Sequence, residues 1–184
     1  HTNQATYTAP SGRNLVLASG SPTSFTTCDD SVTFDTAIVQ LTDGSNLTAT
    51  TSAGAISGQA GIRGASDESV TLDASGGATN TIDVGRIGGA DEILAVDLNA
   101  PAGVTSRGDI VTSSTATGNG VSVVGPLTYT GDRTIDTSAG GGTIDIDSAD
   151  GSTAGNGLDL ELLAGSGTVT FETIGTDAAS DTVN

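Results

Sequence analysis

Residues 131–175 read GDRTIDTSAGGGTIDIDSADGSTAGNGLDLELLAGSGTVTFETIG. Four short segments in this stretch alternate apolar with polar residues: around Ile135, at Ile144-Asp145-Ile146, from Leu158 to Leu162, and at Val169-Thr170-Phe171. Gly, Asp, Asn and Ser separate them, and these residue types favour turns. Alternation with period two puts side chains on opposite faces of a strand, so the stretch reads as short strands joined by tight turns. Helical spacing of apolar residues is sustained nowhere in the chain.

The spacing recurs upstream. Val70, Leu94, Val121, Ile144 and Val169 follow one another at steps of 24, 27, 23 and 25. A second series, Ile82, Ile110, Ile135 and Leu158 or Leu160, runs at 28, 25 and 23 to 25. An internal period of about 25 residues, with at least two strands in each unit, marks a repeat architecture. Composition limits which one. Of 184 residues, Thr, Gly, Ala, Ser and Asp fill 117, while Ile, Val, Leu and Phe total 39. So little apolar volume does not fill a sandwich between two broad sheets, but it fills a narrow coil in which each turn stacks on the last. The expected fold is all-β, a parallel β-solenoid read as a right-handed β-helix with coils of about 25 residues. Val70, Leu94, Val121, Ile144 and Val169 form one inward column in it. Residues 67–184 carry the repeats. Residues 1–66 repeat less clearly and read as a cap, irregular early coils, or a strand donated to a neighbour. For donation the candidate arm is Thr2, Asn3, Gln4, Ala5, Thr6, Tyr7, Thr8 and Ala9, an extended run without turn residues.

Within 131–175, the pieces Thr134 to Gly142, Thr143-Ile144-Asp145-Ile146, Gly157 to Leu162 and Gly165 to Phe171 resemble the β-strand repeats of very large bacterial surface proteins related to filamentous haemagglutinin-type adhesins. The likeness covers about a quarter of the chain well, residues 70–130 loosely, and residues 1–66 not at all. It implies a right-handed β-helix, an extracellular location and a fibrous or adhesive role.

Charge narrows the partners. The chain has 22 acidic residues against five Arg and no Lys, a formal charge of −17. Nucleic acid needs a cationic stripe that neutralises phosphates, so it is not an expected partner. Anionic membrane surfaces are repelled, and no apolar run is long enough to cross a bilayer as a helix. Such a surface suits a secreted or cell-surface protein kept soluble by self-repulsion. Cys28 is alone, so it forms no disulfide within the chain, and it is expected as a small buried hydrophobe.

Three candidate sites follow from short motifs. Arg107-Gly108-Asp109 presents a guanidinium and a carboxylate of the kind integrin-type receptors bind; the competing reading is an Arg paired with an acid of a neighbouring coil. Asp145, Asp147 and Asp150-Gly151 offer oxygens to a hard cation, which makes Ca²⁺ the one cofactor the sequence suggests. Their spacing departs by one residue from the usual calcium loop, and solvated acids on the outer face are the alternative. Asn46-Leu47-Thr48 is a single glycosylation sequon. Catalysis is not expected: five aromatics are too few to line sugar subsites, no Lys is present, and the one His, at position 1, supports no triad. The sequence therefore points to a non-catalytic extracellular fibre or adhesin segment that self-associates lengthwise or continues within a longer chain, and that meets surface glycans or a host receptor. The alternatives are a pilus-like subunit of compact β fold that polymerises through the 2–9 arm, and a carbohydrate-active β-helix.

Overall fold

A computed structural model describes residues 5–6, 14–17, 20–34, 37–90, 93–116, 118–151, 157–174 and 182–183. Among them the chain is all-β, without a helix, and its strand pairings are parallel. It winds into stacked coils, a β-solenoid of about six turns. One circuit takes about 24 residues, the separation of side chains that bond from coil to coil.

Each coil has three faces. Face one carries Thr23–Thr27, Leu47–Thr51, Glu68–Asp73 and Ile93–Asn99, then the first halves of Gly120–Tyr129, Thr143–Gly151 and Val169–Ile174. Face two carries Ala5–Thr6, Val32–Thr33, Ile56–Gly58, Ile82–Val84 and Val104–Ser106, followed by the second halves of the same three long strands. Face three runs from Leu15–Leu17 through Val39–Leu41, Ile62–Arg63, Ile87–Gly88, Ile110–Val111, Arg133–Asp136 and Asp159–Leu163 to Thr182–Val183. Alternation along each strand sends every second side chain inward, where the coil closes on it.

The core is therefore a set of columns along the rod axis. On face one, Leu47, Val70, Val96, Val121, Ile144 and Val169 stand in register, beside Ala49, Leu72, Leu98, Val123, Ile146 and Phe171. Face two stacks Val32, Ile56, Ile82, Val104, Leu127, Ala149 and Ile174. Face three stacks Leu15, Val39, Ile62, Ile87, Ile110, Ile135 and Leu162. Most of these side chains are fully buried, each worth about 1.5–3 kcal/mol as burial.

Three expectations need correction. The column position between Val70 and Val121 belongs to Val96, not Leu94. The ladder shifts by one residue between Ile93 and Ala95, which leaves Leu94 half-buried outside the register. The second series mixes two faces: Ile82 lies on face two, whereas Ile110 and Ile135 lie on face three, where their partner is Leu162 and not Leu158 or Leu160. Residues before 67 stack as well: Leu15, Val39 and Ile62 stand in the common register. The small residues of 52–66 set coil contacts: a Cβ on Gly54 would lie 2.4 Å from the Asp30 carbonyl carbon, and one on Gly61 would lie 2.7 Å from the Arg86 oxygen. Cys28, expected inside, is exposed at the end of Thr23–Thr27.

Candidate functional site

Arg107 follows the face-two strand Val104–Ser106, and its side chain reaches back one coil. Its Nε and Nη2 donate to the two carboxylate oxygens of Asp83 at 2.7 and 2.8 Å, a two-pronged pair that suits the planar guanidinium. Gln59, a further coil back, donates to the same carboxylate at 2.7 Å. Gly108 is pressed onto the preceding coil, where an added Cβ would stand 2.5 Å from the Arg86 nitrogen, and its carbonyl accepts the Ser106 hydroxyl at 2.7 Å. Asp109 Oδ1 accepts the Thr134 N–H of the following coil at 3.2 Å. The tripeptide is thus built into coil-to-coil bonding, with its guanidinium and its carboxylate turned to opposite neighbours. The pairing with a neighbouring coil's acid is the arrangement found.

The three candidate calcium ligands do not converge. Asp145 is exposed on the outer side of face one, Asp147 Oδ2 accepts the Gly125 N–H at 2.8 Å, and Asp150 lies half-buried further along the same strand, on face two. Among the described residues no three acids, His or Cys come together as a metal-holding group.

Asp97, Ser122 and Asp145 are lateral neighbours on the outside of face one. They flank an open groove of about 300 Å³, whose floor includes the small residues Ala95, Gly118 and Gly120. Burial raises the Asp97 carboxyl above its ordinary value, and the charge of Asp73 one coil away adds to the shift. With rungs about 4.8 Å apart, Asp97 and Asp145 stand about 9.6 Å apart along the rod.

A polar corner joins faces three and one, and sequence reading did not find it. Glu68 is fully buried; its Oε2 accepts the N–H groups of Ala65 and Ser66, both at 2.8 Å. The Ser114 hydroxyl donates to Asp67, although the two residues are 47 apart in sequence. Asn119, also buried, accepts the Thr112 hydroxyl and donates to the carbonyls of Thr112 and Ser114. The available signal was parity: Glu68 shares its alternation with Val70 and Leu72, which makes it an inward carboxylate.

Of the 2–9 arm, only Ala5 and Thr6 are among the described residues, and they pair with Val32 and Thr33 of their own chain. The chain matches no family model, no curated protein and no solved structure in the comparisons made.

Proposed function

We propose that this chain is a non-catalytic structural segment of an extracellular fibre or adhesin, a narrow acidic rod lengthened through the edges of its coils. The observation that carries this reading is the use of its polar motifs. Arg107, Asp109, Asp147 and Glu68 hold one part of the coil path to another, so the side chains best suited to chemistry are spent on keeping the stack in register. Outward rows of Thr, Ser and Asp leave a hydrated, strongly negative surface. Self-repulsion of that surface opposes side-by-side clumping and leaves the ends as the sites of contact. Surface glycans or a host receptor would meet the outward rows, and Ca²⁺ would act there as a counter-ion.

Strand donation by residues 2–9 belongs to the pilus-like alternative, whose compact fold is replaced by the solenoid. The groove beside Asp97 and Asp145 favours a carbohydrate-active reading, since a pair of carboxylates serves as acid and base in glycoside hydrolysis. Incubation with acidic and neutral polysaccharides, followed by a reducing-end assay and electron microscopy of the protein, tests both. Rod-shaped particles without sugar release are expected. Release of oligosaccharides, lost in Asp97→Asn, would overturn the non-catalytic reading.

A further inference from the structure

The corner between faces three and one holds a carboxylate that the fold leaves half satisfied. Glu68 is fully buried, and its Oε2 accepts the N–H groups of Ala65 and Ser66, both at 2.8 Å. Its Oε1 is equally buried and has no hydrogen-bond partner. Asp67, next in the chain and exposed, turns its carboxylate to the buried hydroxyl of Ser114, two circuits further on. Ser45, also fully buried, stands two residues before Leu47 as Glu68 stands two before Val70, and Leu47 and Val70 are in register on adjacent coils. Among the described residues no Arg forms an ion pair with either carboxylate.

A buried, ionised carboxylate without a counter-charge is among the costliest arrangements in a folded chain. The two N–H donors on Oε2 offset part of that cost, but they bring no full charge and leave the lone pairs of Oε1 unused. An ordered water would fill those lone pairs and leave the charge; a small cation answers both. The donors in this corner are oxygens: the carboxylates of Glu68 and Asp67, with the hydroxyls of Ser45 and Ser114. Such a hard set suits Ca²⁺, which accepts irregular geometry and completes its shell with water, over zinc, which favours nitrogen and sulfur. We propose that the corner binds one Ca²⁺ ion through Glu68 Oε1, with Asp67 as the second charged ligand and the side open to solvent. Two carboxylates meet here and not three, and the site is separate from Asp145, Asp147 and Asp150. Bound there, the ion adds a metal bridge between the segments of Glu68 and Ser114, which one hydrogen bond from Asp67 already joins. The proposal is independent of whether the rod belongs to a fibre.

Calorimetric titration of the EDTA-stripped whole chain with CaCl2, in about 0.15 M NaCl to screen diffuse binding to the acidic surface, tests the proposal. One Ca²⁺ bound more tightly than the diffuse remainder is expected, weakened at least tenfold in Glu68→Gln. Asp67→Asn, at an exposed position that does not endanger folding, should weaken the same site, and Asp145→Asn should leave it unchanged. Thermal melts give a second readout. Without Ca²⁺, Glu68→Gln removes the uncompensated charge and should melt at or above the parent; with Ca²⁺ the parent should rise by roughly 3–6 °C and overtake it. A purely structural carboxylate gives no such crossover. A parent without a tight site would overturn the proposal, as would a tight site undiminished in both Glu68→Gln and Asp67→Asn, which would mean counter-ion binding on the outer rows alone.

Discussion

Gly88→Ala is the sharpest single test of coil stacking. Gly88 sits on face three with φ +73°, and its in-register partner on the next coil is Val111. A Cβ at this position would lie 1.9 Å from the Val111 carbonyl oxygen. An ordinary carbon–oxygen contact is about 3.3 Å, so the two coils must separate locally by roughly 1.4 Å. The left-handed backbone alone costs a residue with a Cβ about 1–2 kcal/mol. Separation also strains the bond from the Ile87 N–H to the Asp109 carbonyl, now 3.0 Å, and a buried group left unpaired costs about 1–3 kcal/mol. Together these give about 2–5 kcal/mol, a large share of the roughly 5–15 kcal/mol that holds a folded domain together. For a chain of this size the expected fall in melting temperature is on the order of 10 °C. Gly58→Ala is the matched control: Gly58 is buried in the column of Val84, Ser106 and Tyr129, but nothing lies within 4 Å of its would-be Cβ. Alanine there should be neutral or stabilising by up to about 1 kcal/mol, because it restricts the unfolded chain. Thermal and urea unfolding followed by far-ultraviolet circular dichroism measures both variants, and amide exchange should localise the Gly88→Ala effect to residues 85–111. Equal melting temperatures for the two variants, or a larger loss from Gly58→Ala, would refute the stacking geometry.

Three further outcomes follow from the same geometry. Leu98→Ala, at a fully buried column position, should cost about 2–5 kcal/mol in urea unfolding, whereas Leu94→Ala should cost clearly less, because Leu94 stands outside the ladder; equal losses would restore Leu94 to the column. The folded-state carboxyl of Asp97 titrates above its reference value of 3.8, so between the two values the folded chain holds more proton than the unfolded one, and stability falls as pH rises through that window. Asp97→Asn should therefore raise the melting temperature at neutral pH and lose that advantage in acid below the reference value; a lower melting temperature at pH 7 would show the sign to be wrong. Arg107→Ala breaks an exposed pair and should cost under about 1 kcal/mol, while Gly108→Ala should cost more, since its methyl would meet the Arg86 backbone; the reverse order would mean that Arg107 and not Gly108 sets the fit of this coil.

The period, the strand-turn rhythm and the solenoid class are legible in the sequence because each depends on local alternation and on recurrence along the chain. Spacing alone places Val70, Val121, Ile144 and Val169 in one column, and the structure puts them there. Spacing misplaces Leu94 because it does not reveal where an extra residue enters a strand. It joins Ile82 to Ile110 because both series share a period, and a period says nothing about which of three faces a strand occupies. Residues 1–66 stay open between a cap, irregular coils and a donated strand because the small residues of 52–66 look featureless, yet smallness is what lets Gly54 and Gly61 approach the coils on either side.

What the amino-acid order determined by itself was the kind of object: short strands, a coil of about 25 residues, and a strongly acidic chain with a formal charge of −17. What only the tertiary structure decided was which side chains face one another across coils. Arg107 and Asp83, Asp109 and Thr134, and Ser114 and Asp67 are separated by one or two circuits, 24 to 47 residues. Closing those distances depends on the count of residues at every intervening corner, and a single residue more or less at one corner turns a side chain from the core to the solvent.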